Sequence, residues 1–112
     1  MRVILDECLP RHLGKELTGH TVTTVPRAGW GGVMNGKLLE LIKGKFDALI
    51  TVDKNLPKEH EIGSLSFGVL ILRAASNDID DLKPLVPQVL AALTSLQPGE
   101  AVAVSALGSE RA

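Results

Sequence analysis

Five short stretches of apolar or β-branched residues recur along the chain. They are residues 3–5, 21–25, 47–52, 68–72 and 101–104. In the first, third and fourth stretches the apolar residues follow one another without polar alternation, which is typical of strands that are buried on both faces. The second stretch is rich in Thr and Val, and β-branched residues of this kind favour strands. The pattern therefore predicts five strands.

Apolar residues at helical spacing occupy the intervals between these strands. Leu9, Leu13 and Leu17 lie at i, i+4 and i+8, which predicts an amphipathic helix of about nine residues. Residues 35–44 carry four more apolar residues on one arc and predict a second helix. Glu40 points away from the centre of that arc, so we expect it to be a solvated surface acid.

The second half of the chain contains a longer helical pattern over residues 81–96. Pro84 and Pro87 fall within it and are compatible with a helix only if both lie in its first turns. Residues 54–66 are polar and predict a loop or a short helix. Residues 105–112 lack a periodic pattern and predict a flexible C-terminal tail.

Strands that alternate with helical stretches predict a parallel sheet with helices on both faces. The expected fold is a single three-layer α/β/α domain, Rossmann-like, with a mostly parallel sheet of about five strands. We expect this domain to span residues 1–104. The chain of 112 residues is long enough to bury one hydrophobic core without disulfides.

Charge and cysteine content narrow the classes of function. The net charge is −1, which argues against a protein that coats nucleic acid through bulk electrostatics. Residues 1–60 nevertheless carry nine Lys and Arg against seven Asp and Glu, an excess of about +2. The single Cys8 cannot form an internal disulfide. No leader precedes the first strand and no apolar run is long enough to cross a bilayer, so we expect a cytoplasmic protein.

Two of the predicted strands end at acids. Asp6 and Glu7 follow the first strand and Asp53 follows the third. The carboxyl ends of neighbouring parallel strands share one edge of a sheet, so Asp6 and Asp53 are expected to meet in one crevice. Carboxylate oxygens are the ligands that Mg²⁺ and Mn²⁺ prefer, and an ion between two carboxylates relieves their repulsion. The pattern predicts a metal site at Asp6 and Asp53 that hydrolyses a phosphodiester, with Glu7 as a third catalytic acid.

Each of these acids has an ordinary structural alternative. Asp6 also suits a cap for the helix that follows it. Asp53 also suits the first position of a turn. Glu7 also suits a surface position that faces Arg11 one turn further on. The joint occurrence of acids at the ends of two buried strands favours the metal site.

Supporting roles are predicted for three polar residues near these acids. Thr51 suits a bond to a carboxylate or a ligand, although a threonine in a strand is more often only a strand former. Asn35 suits the outer shell of a metal, although helix N-capping also explains it. Asn55 is a further supporting candidate. Trp30, in a glycine-rich loop, suits contact with a base or a partner, or packing over a hydrophobic edge. Arg11 is a candidate contact for substrate or partner, and the three histidines are assigned to the surface.

The chain resembles a known family in its first sixty residues. The matching segments are LDECLP at 5–10, HTVTTV at 20–25, GWGG at 29–32, NGKLLEL at 35–41 and LITVDKNLP at 49–57. They are similar to the small PIN-like domains, close to the toxin nucleases of toxin–antitoxin pairs. The resemblance implies a nuclease that uses Mg²⁺ or Mn²⁺ to cut single-stranded RNA. It also implies an antitoxin protein that blocks the site. Self-association into a homodimer is the alternative partnership.

The resemblance carries over to individual residues. Asp6 and Asp53 match the acids of the first and third strands, and Glu7 matches the acid that follows the first. Asn35 departs from the family, because related sequences often place an aspartate there, and a missing carboxylate weakens metal affinity. The acid after the fourth strand corresponds to Asp78 or Asp80.

Two other functions fit parts of the same pattern. A phospho-acceptor receiver domain has the same plan, with Asp6 and Glu7 as its Mg²⁺ acids, Asp53 as the phosphorylated residue and Pro57 four positions on. Receivers need a lysine at the end of the fifth strand, and residues 101–108 contain none. A catalytically inactive PIN-like binding module is the other alternative, which the amide at residue 35 permits.

Overall fold

The computed structural model describes residues 1–112 and contains a six-stranded sheet. Its strands are β1 (Arg2–Leu5), β2 (Thr21–Thr24), β3 (Ala48–Thr51), β4 (Gly68–Leu72), β5 (Ala101–Ser105) and β6 (Gly108–Arg111). Their order across the sheet is β2-β1-β3-β4-β5-β6. The first five strands are parallel, and β6 runs antiparallel to β5. The prediction of an α/β protein with a mostly parallel sheet is confirmed.

Short helices connect the parallel strands. They are α1 (Leu13–Glu16), α2 (Asn35–Ile42), α3 (Leu56–Glu59), α4 (Ile79–Leu82) and α5 (Val86–Ser95), with a 3₁₀ turn at Lys83–Leu85 between the last two. The short helix α3 confirms the interpretation of residues 54–66.

The buried apolar residues form two clusters that share the sheet. Val3 and Leu5 belong to the larger cluster, with residues of α1 and α5, whereas Ile4 belongs to the smaller one, with residues of α2 and α3. Side chains alternate between the faces of a strand, so the clusters lie on opposite faces. Residues of β1 and β3 are buried on both sides, which explains their unbroken apolar runs.

The helix predicted from residue 9 is much shorter in the structure. Leu9, Leu13 and Leu17 are all buried as predicted, but only residues 13–16 are α-helical. Three successive backbone N–H groups, at residues 13–15, donate to carbonyls three residues earlier instead of four. This tight 3₁₀-type winding presents the same side chains to the core without a full α-helix.

The long helix predicted for residues 81–96 is also interrupted. Pro84 lies at the start of the 3₁₀ turn and Pro87 at the start of α5. Each proline lacks an N–H group and is accommodated at the beginning of a new helical segment, where no N–H donor is needed.

The prediction of a flexible tail at residues 105–112 is wrong for most of that segment. Residues 108–111 form strand β6, which pairs with β5 in the register Val104↔Ser109 and Val102↔Arg111. The Ser105 hydroxyl accepts a hydrogen bond from the N–H of Leu107, and Gly108 takes a φ of 141° that closes the turn. The sheet accordingly has six strands and not about five.

Gly99 is expected to tolerate alanine poorly. Its φ is 82°, and a Cβ there would lie 2.6 Å from the carbonyl oxygen of Gly63. Gly44 has a similar φ of 74° with nothing within 4 Å, which makes it a matched control. Both Gly→Ala variants pay about 1–2 kcal/mol for the left-handed backbone, and Gly99→Ala adds an overpacking cost of about 1–3 kcal/mol. Urea denaturation measures the difference, and equal destabilisation of the two variants would contradict it.

Candidate acidic site at the carboxyl edge of the sheet

Asp6 and Asp53 follow the carboxyl ends of two adjacent strands. β1 and β3 pair in parallel with Leu5 opposite Ile50, and Asp6 comes directly after Leu5. The N–H of Asp6 donates to the carbonyl of Ile50 at 2.8 Å, which extends the ladder by one residue and fixes the backbone of Asp6 against β3. The structure thus places the two predicted acids at one edge of the sheet.

A single buried hydroxyl joins these two residues. Thr51, the last residue of β3, has no exposed surface and is the only polar residue that is fully buried. Its hydroxyl donates to Asp6 Oδ2 at 2.6 Å and accepts from the backbone N–H of Asp53 at 3.1 Å. Thr51 therefore supports the site by positioning both acids with one side chain.

The remaining carboxylate oxygens also have donors. Asp6 Oδ1 accepts from the N–H of Glu7 at 2.8 Å. Asp53 Oδ1 accepts from the N–H of Asn55 at 2.9 Å, and Asp53 Oδ2 accepts from Asn35 Nδ2 at 3.1 Å. Both aspartates are half-buried. Asn55 thus supports the site through its backbone and Asn35 through its side chain.

The assignment of Asn35 as a helix N-cap is wrong by one residue. Met34 is the N-cap of α2, with the extended ψ of 150° that this position requires, and Asn35 is the first helical residue. Its amide is therefore free to reach Asp53. Met34 itself is 80% exposed beside it.

Glu7 is held by the glycine-rich loop at residues 29–32. Its Oε1 accepts from the N–H of Gly32 at 2.8 Å, and a Cβ at Gly31 would lie 3.1 Å from the same oxygen. Glu7 is exposed and forms no ion pair with Arg11. No three His, Cys, Asp or Glu side chains are grouped closely enough to hold a metal ion. Asp6 and Asp53 therefore form a pair, and Glu7 does not join them as a third carboxylate.

Trp30 packs back onto the protein. It is half-buried against the smaller hydrophobic cluster and lies edge-on to Phe46, with 6.1 Å between ring centroids and an angle of 84°. Lys45 Nζ lies 5.3 Å from the centre of the indole. These contacts fit the simpler of its two interpretations, in which the indole covers a hydrophobic edge.

The predicted acids after the fourth strand serve local structure. Asp78 is the N-cap of α4, and its Oδ1 accepts from the N–H of Asp80 at 3.2 Å. Neither Asp78 nor Asp80 joins Asp6 and Asp53 in a group of three acids that could hold a metal ion. Asn77 ties this loop to the segment after Asp6, because its Nδ2 donates to the carbonyl of Cys8 at 2.9 Å.

Cys8 is a neighbour of the site that the sequence did not single out. The residue is exposed, but partial burial of its thiol raises the pKa, the charge of Asp6 raises that pKa further, and a backbone hydrogen bond at Val52 lowers it. A thiol with a raised pKa stays protonated at neutral pH and is a poor nucleophile. Its position two residues after Asp6 was the only available signal.

Other predicted surface residues fall into two groups. Glu40 is exposed and pairs with Lys43 at 3.6 Å, as expected of a surface acid. His12 is exposed, whereas His20 and His60 are half-buried, so their assignment to the surface is only partly correct. The Nδ1 atom of His20 is buried without a hydrogen-bond partner.

The donor set at Asp6 and Asp53 fits a hard divalent cation. Each carboxylate oxygen accommodates two partners, and each of the four has one protein donor. One lone-pair direction per oxygen is left for a ligand. Oxygen donors without thiolate or imidazole select Mg²⁺ or Mn²⁺ over softer metals.

Comparison of the chain with protein-family models, with curated proteins and with solved structures finds no match. The likeness to PIN-like domains therefore depends on the sequence segments given above. None of the helices combines the length and the apolar character needed to cross a membrane.

Proposed function

We propose that the protein is a metal-dependent ribonuclease of the PIN-like type, which hydrolyses phosphodiesters of single-stranded RNA and is the toxin of a toxin–antitoxin pair. The observation that carries the proposal is the Thr51 hydroxyl shared between Asp6 and Asp53. A buried hydroxyl costs free energy unless it is hydrogen-bonded, and here both of its bonds fix an acid. A shared hydroxyl of this kind suits a site in which the distance between the two carboxylates must stay fixed.

In this proposal Asp6 and Asp53 hold Mg²⁺ or Mn²⁺. The bound ion supplies a water of lowered pKa and neutralises charge on a phosphate oxygen. Thr51 orients both carboxylates, and Asn35 fixes Asp53 from the start of α2. Glu7, tied to the loop through one oxygen, keeps its other oxygen available to accept a proton from a water molecule at the rim of the site.

The fold and the surroundings of the site support the same proposal. Buried clusters on the two faces of the sheet fit the three-layer arrangement of PIN-like domains. The exposed Met34 offers an apolar contact beside Asn35, where an antitoxin would cover the acids. We propose a cytoplasmic protein with such a partner, or a homodimer in its place.

Incubation of the purified protein with single-stranded RNA tests this function. Cleavage is expected with Mn²⁺ or Mg²⁺ and is expected to stop when EDTA removes the ion. Incorporation of one phosphoryl group from a small phosphodonor, without RNA cleavage, would favour a receiver. Neither activity would favour the inactive binding module that Asn35 permits.

A further inference from the structure

A groove runs along the free edge of β2, on the side of the sheet away from β1. This open groove has a volume of about 960 Å³ and is lined by Gly14 of α1, by residues 22–24 of β2 and by Arg11, Lys15 and Arg27. Successive residues of a strand point to opposite faces, so a groove lined by three successive residues follows the edge of the strand. We call it the β2 groove.

The backbone of β2 is unpaired on the side of this groove. The N–H group of Thr21 donates to the carbonyl of Met1, just before β1, and the N–H group of Val25 donates to the carbonyl of Leu5, the last residue of β1. Alternate residues of β2 therefore face β1. Val22 and Thr24 therefore direct their backbone N–H groups outward. No strand lies beyond β2 in the sheet, and the carbonyl of Thr24 is already bound by Ala28. Three backbone groups are therefore available to bind a ligand: the N–H groups of Val22 and Thr24 and the carbonyl of Val22.

The β2 groove is positively charged without internal compensation. Arg11, Lys15 and Arg27 are all exposed, and none of them forms an ion pair. No acidic residue lines the groove. The opposite edge of the sheet differs, because β6 carries Glu110 and Arg111, both of which are in ion pairs. Charges on an edge strand discourage pairing, and β2 itself carries none.

We propose that the β2 groove binds an acidic, extended peptide segment of a partner protein, which adds to the sheet as a strand beside β2. The unpaired N–H and C=O groups supply main-chain hydrogen bonds, and the three cations select acidic side chains. A close approach of α1 to β2 shapes the groove, because a Cβ at Gly14 would lie 3.0 Å from Val22 Cγ1. This surface is separate from the acids of the proposed nuclease site.

The charge and the lining of the groove favour an acidic peptide over a second copy of the chain and over single-stranded RNA. A second copy of the chain docked edge to edge would bring two sets of Arg11, Lys15 and Arg27 together, and like charges disfavour that pairing. Single-stranded RNA uses aromatic side chains to stack its bases, and no aromatic residue lines the groove. Phosphate groups also cannot donate to the carbonyl of Val22, whereas a peptide strand can.

The test uses the full chain and a capped peptide of alternating Glu and Val, about six residues long. Binding is followed by NMR through the amide signals of the protein. Peptide addition is expected to shift the signals of Val22 and Thr24 and to slow their hydrogen exchange. Affinity is expected to fall steeply between about 0.01 M and 1 M salt, as the screening length drops from about 30 Å to 3 Å.

Matched controls separate strand pairing from general charge attraction. The same peptide with N-methyl groups at alternate positions keeps its charge but loses the main-chain donors, and it is expected not to bind. Lys15→Glu with Arg27→Glu is expected to weaken binding roughly tenfold or more. Lys37→Glu with Lys58→Glu makes the same change in net charge at exposed positions outside the groove and is expected to leave binding nearly unchanged.

Three results would overturn the proposal. They are equal binding of the N-methylated peptide, equal weakening by the two double variants, and failure of the acidic peptide to shift Val22 and Thr24. An oligouridylate of similar length that shifts these two signals, where the peptide does not, would assign the groove to RNA. Concentration-dependent shifts of the same signals without any ligand would assign it to a second copy of the chain.

Discussion

Asp53→Asn is expected to lower Mn²⁺-dependent cleavage of single-stranded RNA by at least about a hundredfold. The substitution keeps the shape of the side chain but removes a negative charge that the proposed site uses to hold its cation. The remaining amide oxygen is still able to accept from the N–H of Asn55, which Asp53 Oδ1 accepts now. We therefore expect a folded variant whose unfolding free energy in EDTA lies within about 1 kcal/mol of the wild-type value.

Glu40→Gln is the matched control for this variant. It also removes one carboxylate, but Glu40 is exposed and its only ion pair is with Lys43 on the surface. Cleavage by Glu40→Gln is expected to equal that of the wild type. Undiminished cleavage by a folded Asp53→Asn protein would mean that the active site lies elsewhere.

Thr51→Val is expected to weaken both the fold and the site. The variant keeps a β-branched side chain but leaves the backbone N–H of Asp53 and the Oδ2 atom of Asp6 without their shared partner. The loss of a hydrogen-bond partner at a buried position costs about 1–3 kcal/mol of unfolding free energy, which urea denaturation measures. Cleavage is expected to fall about 10- to 100-fold, as it does when a residue that orients metal ligands is lost.

Thr51→Ser separates positioning from packing. It removes a buried methyl group, which costs roughly 1 kcal/mol of stability, but it retains the hydroxyl that contacts Asp6. We expect this variant to be less stable than the wild type and to cleave RNA at nearly the wild-type rate. If Thr51→Val retained full activity, the hydroxyl would have no role in positioning the acids.

The central part of the fold was predictable from the sequence because its signal is hydrophobic burial. β1, β3 and β4 are buried on both faces, and such strands appear as unbroken apolar runs. β6 was missed because its segment GSER is polar and mostly exposed, so that its pairing with β5 depends on a turn and not on burial. The helix predicted from Leu9 was too long, since leucines at this spacing reach the core equally well from a series of tight turns.

The placement of Asp6 and Asp53 at one edge of the sheet was predictable because the carboxyl ends of neighbouring parallel strands share an edge. The details of their support were not. Thr51 sits in a strand that is buried on both faces, so its sequence neighbours do not indicate which way its hydroxyl points. Asn35 was assigned to a cap because a shift of one residue separates a cap from the first helical position. Asn77 follows the fourth strand at the same sheet edge, but only the loop conformation brings its amide to Cys8.

The most direct test of the central claim, a divalent cation held by Asp6 and Asp53, is the melting temperature of the protein with and without Mn²⁺. At a concentration a hundred times the Kd, a ligand that binds only the folded state adds about 2.7 kcal/mol. For a domain of this size that corresponds to a rise in Tm of about 10 °C or more. Asp6→Ala is expected to abolish the rise.

Asn35→Asp sharpens this measurement because its two expected effects have opposite signs. Without metal, a carboxylate in place of the amide that donates to Asp53 Oδ2 introduces repulsion, so Tm is expected to fall below the wild-type value. With Mn²⁺, the added carboxylate is expected to enlarge the rise in Tm. No rise in the wild type, or the same rise in Asp6→Ala as in the wild type, would contradict the metal site.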